Sequence, residues 1–123
     1  MSKIIVVDDD QIFCGLLKTV LEFENYEVLV ESNPDNVVAM VVQEQPLLVL
    51  MDVHSDRGDT LGVLQELKEG EATKAVPVVM ASGMDRSHEC IKAGASDFLL
   101  KPFRPDELIT MVAEVIAGKN AGA

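Results

Sequence analysis

Apolar and polar positions along the chain follow two alternating patterns. Short runs rich in aliphatic residues recur at Lys3–Val7, Tyr26–Glu31, Leu47–Met51, Val76–Ala81 and Ser96–Leu100. Such runs read as strands, several of them buried on both faces. Between them, apolar residues recur at helical spacing, so each intervening segment predicts a helix with one core face. Gln11–Glu24 is the first, with Phe13, Leu16, Leu17, Val20 and Leu21 on that face. The second starts at Ser32-Asn33-Pro34-Asp35, where an early proline and an acid suit a helix N-terminus. Val37, Val38, Val41 and Val42 form its apolar face, and Pro46 stops it. Leu61, Leu64 and Leu67 mark the third helix, ended near Gly70. A short fourth runs from about Asp85 to Ala93, with Gly94 as its C-terminal cap. Pro105, Asp106 and Glu107 open the last, whose core face is Leu108, Ile109, Val112, Val115 and Ile116. Residues 1–118 thus read as one domain, and residues 119–123 as a tail or the start of a linker.

Strict strand–helix alternation predicts an α/β fold: a parallel sheet with helices on both faces. Ligands of such sheets bind outside the carboxyl ends of the strands, where strand order reverses. That rule gathers the chain's charged punctuation. Asp8, Asp9 and Asp10 follow the first strand, Asp52 ends the third, Ser82 follows the fourth and Lys101 ends the fifth. Two carboxylates about 5 Å apart repel by roughly 0.8 kcal/mol in water and roughly 3 kcal/mol at an effective dielectric of 20. A hard cation relieves this, and Mg²⁺ suits oxygen ligands while keeping several waters. Lys101 brings a mobile point charge able to reach a phosphate, and Ser82 a hydroxyl that can donate to a phosphoryl oxygen. Aspartate can form an aspartyl-phosphate. Asp52 is the better nucleophile candidate, because Asp8 and Asp9 are adjacent and can share the metal. Asp10 reads first as a helix N-cap, with a third metal ligand as the alternative.

Composition narrows the class. The 123 residues suffice for one domain with a real core, and 48% hydrophobic with 25% charged residues is ordinary for a globular protein. A formal net charge of −11 argues against nucleic acid or an anionic membrane surface as a direct partner. No apolar stretch reaches the roughly 18 residues of a membrane span. The N-terminus has no secretory pattern, and Met1-Ser2-Lys3 reads as a native start. Cys14 and Cys90 fit no redox or zinc spacing, so two buried free thiols in a reducing cytoplasm are expected.

Taken together, Val6-Val7-Asp8-Asp9-Asp10, Leu50-Met51-Asp52, Met80-Ala81-Ser82-Gly83, Gly94-Ala95-Ser96-Asp97-Phe98 and Lys101-Pro102-Phe103 resemble the response-regulator receiver domain of two-component phosphorelay signalling. The resemblance covers essentially the whole chain in order. It implies a (βα)5 doubly wound, flavodoxin-like or CheY-like fold with strand order 2-1-3-4-5. It implies that Asp52 accepts a phosphoryl group from a sensor histidine kinase or histidine phosphotransfer protein. It implies Mg²⁺ bound by Asp9 directly, by Asp8 chiefly through water, and by Asp52 and the backbone carbonyl of His54. Ser82 and Phe98 would form the conformational switch pair, Lys101 would bind the phosphoryl oxygens, and the Lys101–Pro102 bond would be cis. The expected role is signalling to a partner, output domain or homodimer, not enzymatic turnover of a separate substrate. The sequence leaves open both a stand-alone regulator and one piece of a longer protein.

Two departures from the family pattern stand out. The loop Val53–Thr60 has Asp56 and Thr60 where proline and glycine are usual, which predicts a more mobile loop with extra acid near the metal. Ser82 to Gly94 is about three positions shorter than usual, close to one helical turn of 3.6 residues, so the fourth helix or the loop before it should be short. Two rival readings follow. One is a receiver-like interaction module that works without phosphorylation. The other is a haloacid-dehalogenase-like phosphatase with Asp8 as nucleophile, for which the chain is short.

Overall fold

The computed structural model describes residues 2–118. The expected tail at 119–123 lies outside the described residues. Five strands, β1 (Lys3–Val7), β2 (Glu27–Glu31), β3 (Leu48–Asp52), β4 (Val78–Ser82) and β5 (Asp97–Leu100), form one parallel sheet. Their order is β2-β1-β3-β4-β5, so strand order reverses between β1 and β3. Five helices connect and follow them: α1 (Gln11–Phe23), α2 (Val37–Glu44), α3 (Leu61–Glu69), α4 (Ser87–Lys92) and α5 (Pro105–Ile116). This is the doubly wound arrangement that the strand–helix alternation predicts.

The period-two geometry of a strand sorts the core into two layers. Ile4 and Val6 of β1 face one way, with Leu48 and Leu50 of β3; they pack under Cys14, Leu17 and Leu21 of α1 and Leu108, Val112 and Val115 of α5. Ile5 and Val7 face the other way, with Val49, Met51 and Met80; they pack under Val37 and Val41 of α2, Leu64 and Leu67 of α3 and Cys90 of α4. Both faces being covered explains why β1 and β3 are continuous aliphatic runs.

The helix faces differ from expectation in rotation. Leu16 is 62% exposed, whereas Cys14 is 1% and Leu17 4% exposed. With Cys14 counted as apolar, the hydrophobic arc of α1 is wider than the sheet can cover, and periodicity alone does not say which part faces in. Val42 of α2 is likewise 47% exposed. Helix α2 begins with a 3-10 turn, Pro34–Asn36, capped by the Asn33 side chain, which accepts the Asp35 N–H. It ends at Gln45, in the left-handed region (φ 48°), one residue before the proline read as the stop. Strand β4 starts later than the apolar pattern suggests and takes in Ser82, which therefore ends the strand instead of following it. Helix α4 is only six residues long, in keeping with the shortened segment. Gly94 follows it with φ 110°, the conformation that favours glycine at a helix end.

Candidate functional site

Sheet order brings the carboxyl ends of β1, β3 and β5 to one edge, and Lys101 spans it. Its Nζ lies 3.0 Å from Asp8 Oδ2 and 3.2 Å from Asp52 Oδ2. The Lys101 backbone is held to β4 by its N–H, which donates to the Ser82 carbonyl. The Lys101–Pro102 peptide bond is cis. Burial disfavours the ammonium charge, but Asp8 and Asp52 more than offset this, and its pKa stays above the ordinary value.

Asp8 is the more deeply placed carboxylate. Its side chain is 4% exposed against 15% for Asp52. Both its oxygens are engaged: Oδ1 accepts the Asp10 N–H and Oδ2 the Lys101 ammonium. Burial nevertheless pushes its carboxyl above the usual range, and these two donors only moderate the rise. Asp10 caps α1, its side chain accepting the Phe13 N–H. Asp9 is half-buried and turned to the loop after β3, where its Oδ2 accepts the Asp56 N–H at 2.8 Å. Beside it opens a polar pocket of about 350 Å³ lined by Asp9, Asn33, Ser55, Asp56 and Arg57 among others.

The remaining candidates are less tightly gathered. Exposed His54 donates its backbone N–H to Asp52 Oδ1. Ser82 is fully buried, and its Oγ accepts the Met84 N–H. Phe98, half-buried, packs against the layer under α2, α3 and α4, opposite Met80 in the sheet register. So Lys101 joins Asp8 and Asp52 directly, Asp9 is linked through the loop, Ser82 meets the cluster through the Lys101 backbone, and Phe98, on β5, stands three positions before Lys101. Among the described residues, no three or more His, Cys, Asp or Glu side chains converge as a metal cage. The oxygen-only donors at the edge still suit a hard cation.

The Val53–Thr60 loop, lacking the usual proline and glycine, has bonds of its own. It folds as a two-residue hairpin, His54–Ser55 against Gly58–Asp59. Thr60 is buried, and its Oγ1 donates to the Asp52 carbonyl at 2.7 Å. Asp59 pairs with Arg86, which also holds Glu89 of α4. Hydroxyl and guanidinium bonds thus tether the loop at Thr60 and Asp59. Phe13 is a second surprise. Its ring lies under the Lys101 ammonium, 4.2 Å from Nζ to centroid. The sequence offered only a weak hint of this, the position of Phe13 one helical turn beyond Asp9.

The fold and site are thus those of an open, doubly wound α/β domain with acids and a lysine at its switch-point edge. The sequence pattern of the response regulator receiver domain matches residues 4–113. Protein PilH of Pseudomonas aeruginosa is 30% identical over 96% of this chain and 100% of its own. The probable transcriptional regulator ycf27 of Porphyra purpurea is 34% identical over 94% of this chain. The chain spans about half the length of that relative, 47% of it. A putative response regulator from Chloroflexus aurantiacus has a structure with TM-score 0.88 and 28% identity, covering 94% of this chain and 98% of that one. Chemotaxis response regulator CheY4 of Vibrio cholerae, at 21% identity, shares the fold with TM-score 0.86, covering 94% and 98%. The chain belongs to the response regulator receiver domain family, and its fold is CheY-like.

Proposed function

We propose that this chain is a phosphoacceptor receiver in which Asp52 takes a phosphoryl group from a histidine kinase or a histidine phosphotransfer protein. The observation that carries the reading is Lys101, held by hydrogen bonds to both Asp8 and Asp52 at the sheet edge. Asp52 is the favoured nucleophile because it is the more exposed of the two carboxylates. Asp8, the nucleophile of the phosphatase reading, is nearly enclosed, its side chain 4% exposed.

Mg²⁺ would be held by Asp9 directly, Asp8 through water, Asp52 and the His54 backbone carbonyl. Bound there, it would neutralise charge on phosphoryl and carboxylate oxygens, and such an ion needs only one or two carboxylates beside its waters. Asp9 is the one of these carboxylates outside the Lys101 cluster, with a backbone amide on one oxygen. In transfer, an Asp52 oxygen forms the bond to phosphorus as the phosphorus–nitrogen bond of the phosphohistidine breaks, and the imidazole leaves with the bonding pair. Lys101 then follows the charge onto the phosphoryl oxygens. Ser82 turns its hydroxyl toward them, giving up the Met84 N–H, and Phe98 turns inward. This favours one arrangement of the β4–α4 segment. The domain thereby signals to a partner or output domain and turns over no separate substrate. Free, buried Cys14 and Cys90 accord with a cytoplasmic setting.

The test is Mg²⁺-dependent labelling by phosphoramidate, followed by mass spectrometry. Native protein should gain one acid-stable, hydroxylamine-sensitive phosphoryl group, and Asp52→Asn none. Labelling that persists in Asp52→Asn but is lost in Asp8→Asn would overturn the assignment in favour of Asp8.

A further inference from the structure

We infer that Phe13 is a positioning residue for phosphoryl transfer, its ring face holding the Lys101 ammonium between Asp8 and Asp52. The inference rests on Asp52 as phosphoacceptor. Lysine presents a compact charge on a flexible four-carbon stem, and its donors rotate freely. A lysine that must meet a phosphoryl group needs its stem confined. Two of its contacts are the carboxylates, at 3.0 and 3.2 Å. The third is the Phe13 ring, with Nζ 4.2 Å from its centroid, well inside cation–π range.

The ring is itself held. Phe103 packs against it edge to face, with centroids 5.7 Å apart and planes at 71°. Phe103 stands two residues after Lys101, so one short segment delivers both the ammonium and the brace for the ring beneath it. Both rings join the core layer of α1 and α5. Of α1, Cys14, Leu17 and Leu21 are the residues buried in that layer, whereas Phe13 stays half-buried beside it, where its ring face meets the ammonium. When Asp52 is phosphorylated its contact with Lys101 changes, while Asp8 and Phe13 remain in place. They are the two points from which the ammonium is re-aimed.

The experiment compares Phe13→Leu, which keeps an apolar group but no ring face, with Phe13→Tyr, which keeps the ring. Each variant is labelled with phosphoramidate and Mg²⁺. The phosphorus–nitrogen bond breaks, ammonia leaves with the bonding pair, and the Asp52 oxygen–phosphorus bond forms. The ε-methylene resonance of Lys101, assigned by its loss in Lys101→Met, reports directly on the ring. In native protein and Phe13→Tyr it should be shifted upfield by the ring current. In Phe13→Leu the shift should vanish, and the labelling rate should fall roughly fivefold to tenfold, the scale of a partly desolvated cation–π contact. Circular dichroism melts of all variants show whether packing has changed. Phe13→Met repeats the test with a flexible apolar chain if the leucine variant does not fold. An unshifted Lys101 resonance in native protein overturns the inference. So does a Phe13→Leu rate within about twofold of native, or an equal loss in the leucine and tyrosine variants. If native protein is not labelled at Asp52 at all, it is the phosphoacceptor reading that fails. The Lys101 resonance then still decides whether the ring holds the ammonium.

Discussion

Replacing Lys101 by methionine removes the ammonium that joins Asp8 and Asp52 while keeping an unbranched apolar stem. In the native protein the ammonium lies 3.0 Å from Asp8 and 3.2 Å from Asp52. Carboxylate oxygens about 6 Å apart, the widest separation those bonds allow, repel by roughly 0.7 kcal/mol in water and roughly 3 kcal/mol at an effective dielectric of 20. The two side chains are only 4% and 15% exposed, so the larger figure is the better guide. Breaking a fully buried pair costs roughly 3–5 kcal/mol, and Lys101 keeps some solvent, so a loss of about 2–3 kcal/mol at pH 7 is expected. The pH dependence has a definite sign. Burial already holds the Asp8 pKa above its ordinary 3.8, and Lys101 limits that rise. Without Lys101 the folded pKa climbs further. The folded state then binds the Asp8 proton more tightly than the unfolded chain, so stability falls as pH rises toward and past the folded pKa. The deficit of the variant should be largest at pH 7 and should shrink on acidification toward the ordinary carboxylate range. The chain has no tryptophan, so urea unfolding is followed by far-UV circular dichroism. The midpoint should drop by about 1–2 M at pH 7, and by clearly less at pH 5. A drop of the same size at both pH values, or none at pH 7, would refute the electrostatic account.

Further expectations concern the scaffold. Gly94→Ala should cost about 1–3 kcal/mol in thermal or urea unfolding. Its φ is 110°, and an added Cβ would meet the Lys68 stem at 2.8 Å, where the Lys68 ammonium is pinned by the Lys74 and Val76 carbonyls. Gly58→Ala, with φ 103° and open space around it, should cost less; the reverse order would contradict the contact with Lys68. Thr60→Val keeps the shape but removes the donor to the Asp52 carbonyl, so a loss of about 1–2 kcal/mol with faster amide exchange in residues 53–60 is expected. Unchanged exchange there would show that the hydroxyl does not anchor the loop. Leu17→Ala should destabilise by about 2–4 kcal/mol and Leu16→Ala by less than about 0.5 kcal/mol. Equal effects would contradict the observed rotation of α1.

Much of the fold was legible because strands covered on both faces must be aliphatic throughout, and β1 and β3 advertise this in their sequence. Asp8, Asp52 and Lys101 could be assembled from sequence because each directly follows or ends such a run, and a parallel sheet places those ends together. Less was legible where the apolar signal outran the available cover. Leu16 and Val42 have the hydropathy of core residues, yet only packing against the sheet decides that they face outward. Thr60 illustrates another limit. Seen as a missing glycine it suggests looseness, whereas its hydroxyl bonds the Asp52 carbonyl from eight positions away.

By itself the sequence determined the α/β class, the five strands of the parallel sheet, the family, and the set of charged groups at one sheet edge. These follow from local periodicity and from where apolar runs end. Tertiary structure decided the partnerships. Lys101 reaches Asp8 across 93 positions and Asp52 across 49. The Phe13 ring meets that same ammonium from α1, Asp9 turns to the Asp56 amide, and Arg86 ties the loop to α4. Such contacts depend on strand order, helix rotation and the burial that strengthens each charge, none of which is a property of neighbouring residues in the chain.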